Sequence, residues 1–483
     1  MTLHATHRSL SQITASQESV SPVDRMSRGS FLRLVGLSAL GALYGPGPRG
    51  EVERESTSLR SLMELQRDLH PVLDRLQRNT IDYFIQNRRD GLVLDQFPVA
   101  NWPYSSMAAT GFGLSSYVIG VERGVLSRAR AVELVDETLR TIETRPTLRH
   151  RGWFTHFVDV SEPERPLAVR ESGRPEKPTA EYSSVDTALF FLAALPVATY
   201  FGAERDIEGR IEMLFREVDF PLMLHQEGSG DTRLFSHGFY LDEQGGERFI
   251  PTRWDTCSEG ILVSFLSLAD QHPSVSPGVW DAWSRNYEQL PLFVRYYPHC
   301  FVDLRDCVDR SGLNLWGLAE QEVAHQVRYC EENGFPAGLF GVTACAFAYK
   351  GPSGSDQYGY FVPGFQGSRE PRVVGPHAIV SCIPFAPGPA YRSLHHLSRH
   401  GWLESDFGPI NSVNFDDALV HRGVTAIDVG SALLMLDTAS ARCIHTLSAE
   451  NARIQAALTH CGFAKLSTNV SQRSGEPETG NCP

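Results

Sequence analysis

The chain has 483 residues, with 57 acidic against 44 basic side chains and a formal net charge of −13. Apolar residues make up 42% and charged ones 21%, a globular balance that excludes a disordered chain, a collagen-like fibre and a polytopic membrane protein. An acidic excess with no long Lys/Arg block argues against nucleic acid and toward an uncharged small molecule or polymer.

In chain order, the first feature is residues 31–44 (FLRLVGLSALGALY), an apolar run behind Arg25 and Arg28. It is too short to span a bilayer and has the length of an export-signal core, so no stable membrane insertion is expected. Ser27 to Arg33 has the form of a twin-arginine signal in which Gly29 stands at the second arginine. Arg33 interrupts the apolar run and no A-x-A site follows, so a cytoplasmic enzyme with a frayed leader is the alternative to a periplasmic one. Residues 1–58 read as leader and flexible linker (the linker being 45–58), 59–465 as the folded domain, and 466–483 as a disordered tail.

From residue 59 helical periodicity dominates. Leu62, Leu65, Leu69, Leu73 and Leu76 recur at three- and four-residue spacing, with Pro71 suited to a helix start or kink. Ser127 is a candidate N-cap for a helix through Val132, Val135, Leu139 and Ile142. Further helices are expected over 184–201, 207–224, 258–269, 317–332, 389–400, 428–440 and 449–460, with a strand-like stretch near 153–159. The long connections between them, rich in Gly, Pro, Trp, His and Asp, are where function is expected. Paired helices with long loops on one side fit an all-α α/α toroid with a cleft at one end; periodicity alone fits a large irregular helical domain equally well.

Nine cysteines are spread from Cys257 to Cys482 with no CxxC pair, which points to buried apolar thiols rather than a disulfide scaffold or zinc ribbon. Gly111-Phe112-Gly113 lacks the third glycine of a dinucleotide fingerprint, and Gly351–Ser355 lacks the ending of a phosphate loop. Neither a G-x-S-x-G elbow nor an H-E-x-x-H pair is present, and His395-His396 reads as a solvated helix feature. No metal or organic cofactor is called for, and oligomeric state leaves no signal.

What remains is a set of acidic, aromatic and histidine residues at helix starts and in loops. Glu181 and Asp186 flank a helix start in EYSSVDTALFF; Trp254, Asp255 and Glu259 do so in RWDTCSEGILVSFL; Asp428 opens IDVGSALLML. His156 and Asp159 lie in GWFTHFVDV, and His299, Asp303 and Arg305 in PHCFVDLR. Each carboxylate alone is accounted for by helix capping. Their concentration with Trp, His and Arg suits sugar chemistry, where glycosidic cleavage takes one protonated and one ionised carboxyl group.

These segments, with LQRNTIDYF, GLVLDQFP, SSMAATGFGLSSYVIGVERGVLSRARA, GVTA, IPFAPG and NARIQAALTHCGF, follow one another in the order of a known family. From Leu73 to Phe463 the chain resembles the glycoamylase-like family, which includes bacterial endo-β-1,2-glucanases and relatives of the processing domain of cyclic β-1,2-glucan synthases. The resemblance implies the (α/α)6 toroid and hydrolysis of a β-glucan, most simply β-1,2-linked, by an inverting acid/base mechanism. It implies Glu259, in the W-[DN]-x-x-x-E segment, as general acid and Asp428, in I-D-x-G, as general base. Glu181, Asp186, Trp254, Asp255, His156, Asp159, His299, Asp303 and Arg305 fall where residues lining a sugar cleft are expected. A helix N-terminus lowers a carboxyl pKa, so an acidic Glu259 requires burial or a neighbouring carboxylate such as Asp255 to outweigh it.

The chain also departs from the family pattern. Cys345-Ala346 stands where Ser-Asp is usual, Asn411 where an aspartate is typical, Pro371-Arg372 for Asp-Gly, Arg295 for a histidine, and Val429-Gly430 for Gln-Gly. The losses fall in loops, which suggests altered substrate choice or decayed catalysis. Two alternatives to a hydrolase therefore stand beside it: a catalytically impaired glycan-binding pseudoenzyme, and a β-1,2-glucan transglycosylase. The expected partner in each case is an oligo- or polysaccharide.

Overall fold

A computed structural model describes residues 49–98, 103–160, 181–224, 233–242, 244–269, 274–284, 291–363 and 370–466. The export-signal reading of 31–44 and the tail from 467 onward lie outside the described residues. The structure is mainly helical, with α1 (Arg49–Gln86), α2 (Met107–Glu122), α3 (Arg128–Thr144), α4 (Ser184–Phe201), α5 (Ile207–Arg216) and α6 (Phe220–Leu224). There follow α7 (Gly260–Ala269), α8 (Leu292–Phe301), α9 (Leu315–Glu332), α10 (Pro376–Ser381), α11 (Pro387–Arg399), α12 (Ala426–Ala439), α13 (Cys443–Glu450) and α14 (Ala452–Cys461).

Most expected helices are present, with physically readable differences. α1 starts at Arg49, inside the stretch read as linker, and carries Pro71 within it. Ser127 caps α3 by accepting from the Arg130 N–H. The helix expected over 207–224 is two, because Asp219 caps a new turn by accepting from the Leu222 N–H ahead of Pro221. The last expected helix begins at Ala452, where the Asn451 side chain caps the N–H groups of Arg453 and Ile454 and separates α14 from α13.

α2 and α4 are buried on nearly every side and pack on each other, and α2 also packs on α12. Glycine permits the approach: a Cβ at Gly111 would lie 2.6 Å from the Phe190 Cα, and one at Gly430 would lie 2.7 Å from Phe112 Cβ. α4 is apolar and long enough to cross a membrane, yet 83% of it is buried inside the protein, as in a core helix. One contiguous apolar cluster joins all of these helices. Seven described cysteines are in no disulfide and six of them are buried, whereas Cys307 is disulfide-bonded.

The segments leading into α2, α4, α7 and α12 are tied together by short antiparallel pairings. Gln96–Phe97 pairs with Val424–Thr425 just before α12, and a bridge joins Leu94 to Ser105. Tyr104–Ser106, which enters α2, pairs with Phe157–Asp159, and Thr155 bridges to Tyr182. Glu181–Ser183, which enters α4, pairs with Gly238–Leu241, and Ser236 bridges to Arg253 ahead of α7. This chain of pairings gathers four helix N-termini on one side of the fold. The carboxylates collect there.

Candidate active site

Each carboxylate is placed by the start of its helix. Ser183 caps α4 by accepting from the Asp186 N–H, and its hydroxyl donates to Asp186 Oδ2 at 2.6 Å. Glu259 immediately precedes α7, whose first residue, Gly260, carries no side chain because Trp254 Cβ lies 2.2 Å from where a Cβ would stand. The Trp254 indole is held by its N–H donating to Ser184 Oγ at 2.9 Å and by stacking on His237 at 3.8 Å. Asp428 lies in the first turn of α12 and is only 3% exposed.

These groups sense one another. Burial and then the Asp186 carboxylate push Glu259 up to about 8, against the pull of His156. Glu259 is thereby protonated at neutral pH although it sits at a helix N-terminus. The neighbouring carboxylate is Asp186 and not the expected Asp255, which is exposed on the loop. His156 contacts Glu181 through Nδ1 at 3.4 Å and Asp186 through Nε2 at 3.7 Å. Burial lowers its pKa, but Asp186, Glu181 and Asp95 more than offset this and raise it to about 9. It is therefore a cation among carboxylates. Asp159 is half-buried at the edge of this group, paired in register with Tyr104.

Burial, reinforced by Asp95, raises Asp428 well above the carboxylate range. Its Oδ2 is buried without a hydrogen-bond partner, and His377 Nε2 lies 3.5 Å from Oδ1. Burial drives His377 down to about 3, so it is neutral and does not offset the Asp428 charge. Asp428 and Glu259 both bear on the hydroxyls of Tyr297 and Tyr360, which they help to raise behind the larger effect of burial.

One central residue was not singled out from the sequence. Asp95, in GLVLDQFP, is buried between the other carboxylates, and its carbonyl accepts from the Ala426 N–H of α12 at 2.7 Å. Burial raises it to about 6, restrained by hydrogen bonding to Ser106 and by the His156 charge. The segment GLVLDQFP carries the family resemblance, but nothing in it marks Asp95 as a site residue beyond its being the one acidic side chain there.

His299, Asp303 and Arg305 are not brought to this cluster. They lie at the C-terminal ends of α8 and α12, where His299 is fully buried between Trp316 and Phe385. Its carbonyl accepts from His445 Nε2 at 2.8 Å, and Asp303 bridges Arg305 and Arg442. Arg442 lies fourteen positions beyond Asp428, roughly 20 Å along the axis of α12. The chain order that placed these three in the cleft cannot show which end of a helix faces it. They form a buried polar knot that joins two helix ends.

Residues 251–452 match the family described as "Putative glucoamylase". Over that stretch the chain is similar to glycoamylase-like proteins. A "putative glucoamylase" from Bacteroides uniformis has a similar structure, with a TM-score of 0.69 and 19% identity over 81% of this chain and 97% of that one. The endo-β-1,2-glucanase of Chitinophaga pinensis, solved with sophorotriose and glucose, gives 0.68 and 18% over 82% and 98%. The β-1,2-glucanase of Parabacteroides distasonis gives 0.68 and 18% over 81% of this chain and 59% of that one. At such identities the likeness concerns the fold. No curated protein sequence matches the chain.

Proposed function

We propose that this glycoamylase-like protein is a glycoside hydrolase that cleaves a β-glucan, with the β-1,2 linkage of its structural neighbours' substrates, in an (α/α)6 toroid. The observation that carries the proposal is Glu259, a carboxyl held protonated to about 8 by burial and Asp186 within a cluster of four further carboxylates. Glu259 donates its proton to the glycosidic oxygen as the bond to the anomeric carbon breaks. Asp428 removes a proton from a water that attacks that carbon from the opposite face, giving an inverted product. His156, Glu181, Asp186 and Asp95 offer hydrogen bonds to sugar hydroxyls, and Trp254 and Tyr360 offer ring faces. The disulfide at Cys307 suits an oxidising compartment and supports the exported, periplasmic reading of the leader.

One observation favours the pseudoenzyme as second reading. A base must be ionised, and Asp428 is pushed well above the carboxylate range. Substrate hydroxyls donating to Oδ2 would lower it again. A panel of linkage-defined glucans, followed by NMR of the products, tests both. The hydrolase reading expects new reducing ends in the inverted anomeric form from β-1,2-glucan; binding without new reducing ends from any glucan supports the pseudoenzyme, and altered chain lengths without new ends a transglycosylase.

A further inference from the structure

The strands Cys345–Lys350 and Asp356–Phe361 form a hairpin with two unlike faces. Phe347, Tyr349 and Phe361 cluster on one face, with Phe347 stacked on Tyr349 at 5.1 Å. Their rings lie over Gly359, where a Cβ would meet Tyr349 at 3.3 Å and Phe347 at 3.4 Å. The other face carries Tyr358, 70% exposed, and Tyr360, 55% exposed, and Val362 continues it. Their cross-strand neighbours are Ala348 and Ala346, too small to cover the rings. Large side chains at this exposure are few among the described residues, and two alternate along this strand with Val362 following it.

The face is continuous with the candidate active site. The Tyr360 hydroxyl is the one on which Asp428, Glu259 and Asp95 all bear, although its ring is open to solvent. Tyr358 meets His421 edge-on at 5.4 Å, and Asn411 Nδ2 lies 3.2 Å from His421 Nδ1. Thr425, which precedes α12, donates to Asn411 Oδ1 at 3.1 Å. Three of the five departures from the family pattern lie here, whereas Arg295 is in α8 and Val429-Gly430 in α12: Ala346 is in the hairpin and Asn411 beside His421, while Arg372 holds Asp416, whose neighbour Asp417 accepts from the Lys350 N–H. Glu259 and Asp428 are kept. The tyrosine face is aromatic, with the Lys350–Asp356 ion pair at its far end, and its rings suit the apolar faces of sugars.

We propose that Tyr360 and Tyr358 form a two-step platform on which successive sugar rings of an uncharged glucan stack as the chain leaves the carboxylate cluster. Residues two apart on a strand are about 7 Å from each other, a step on the scale of one sugar unit. The inference rests on the glucan-cleaving reading and names the surface that makes affinity grow with chain length. Aromatic stacking of this kind changes affinity about three- to tenfold.

The test is calorimetry of full-length Glu259→Gln, which halts turnover, with β-1,2-gluco-oligosaccharides of three units and of six or more. The longer ligand is expected to bind more tightly, Tyr358→Ala to erase about three- to tenfold of that gain with the trisaccharide little affected, and Tyr358→Phe to keep it. The ratio of KM for long over short glucan in otherwise wild-type protein reads the same effect should the Gln variant fold poorly. A length dependence unchanged by Tyr358→Ala, or lost equally in Tyr358→Phe, overturns the platform while the functional reading stands. If no glucan of any linkage binds or is cleaved, the functional reading falls and takes the platform with it.

Discussion

Replacing Asp186 by Asn removes the largest influence raising His156, while the amide keeps the shape that Ser183 holds. His156 Nε2 lies 3.7 Å from Asp186 Oδ2, and at an effective dielectric of about 20 that separation is worth about 4.5 kcal/mol, an upper bound of roughly three pH units. The imidazole is 31% exposed, so solvent screening reduces the expected change to about two units. His156 is raised in the folded protein, so the stability its pairing contributes is full below its ordinary pKa of 6.5 and is lost as pH climbs through about 9. In the Asp186→Asn protein that loss is expected at lower pH. The assay is NMR titration of the His156 ring in selectively labelled protein, with His156→Gln to assign the resonance. A pKa that stays within half a unit of the wild-type value would refute the electrostatic account of the cluster.

Asp303→Asn is expected to destabilise folding by about 1–3 kcal/mol in denaturant titration, because it removes the carboxylate bridging Arg305 and Arg442, with glucan turnover per folded molecule retained. Turnover lost without a loss of stability would return Asp303 to the cleft. Gly430→Ala drives a Cβ to 2.7 Å from Phe112 and is expected to cost about 1–3 kcal/mol despite alanine's better helix propensity. An unchanged melting temperature would contradict the close approach of α2 and α12.

Amphipathic helices were legible because one apolar stripe repeats at helical spacing, as in α1 and α3. α2 escaped that reading because it is buried almost all round and shows no stripe. The hairpin from Cys345 to Phe361 was missed because its alternation is aromatic on both faces, leaving no polar side to mark a strand. At the site, Glu259, Asp428, Asp186, Glu181 and His156 were legible as carboxylates and an imidazole next to helix starts. Asp95 was not, since it stands in a loop whose pairing with α12 joins residues more than three hundred positions apart. His299, Asp303 and Arg305 carry the right chemistry at the wrong end of a helix, a distinction made only by three-dimensional packing.

The central claim is that Glu259 is the proton donor of a glucan-cleaving cluster. Its most direct test is release of reducing ends from β-1,2-glucan by wild-type protein and by Glu259→Gln across pH 5 to 9. The account predicts wild-type activity that declines as pH rises through about 8, where Glu259 loses its proton, and a loss of at least about a hundredfold in the Gln variant. Near wild-type turnover by Glu259→Gln would contradict it.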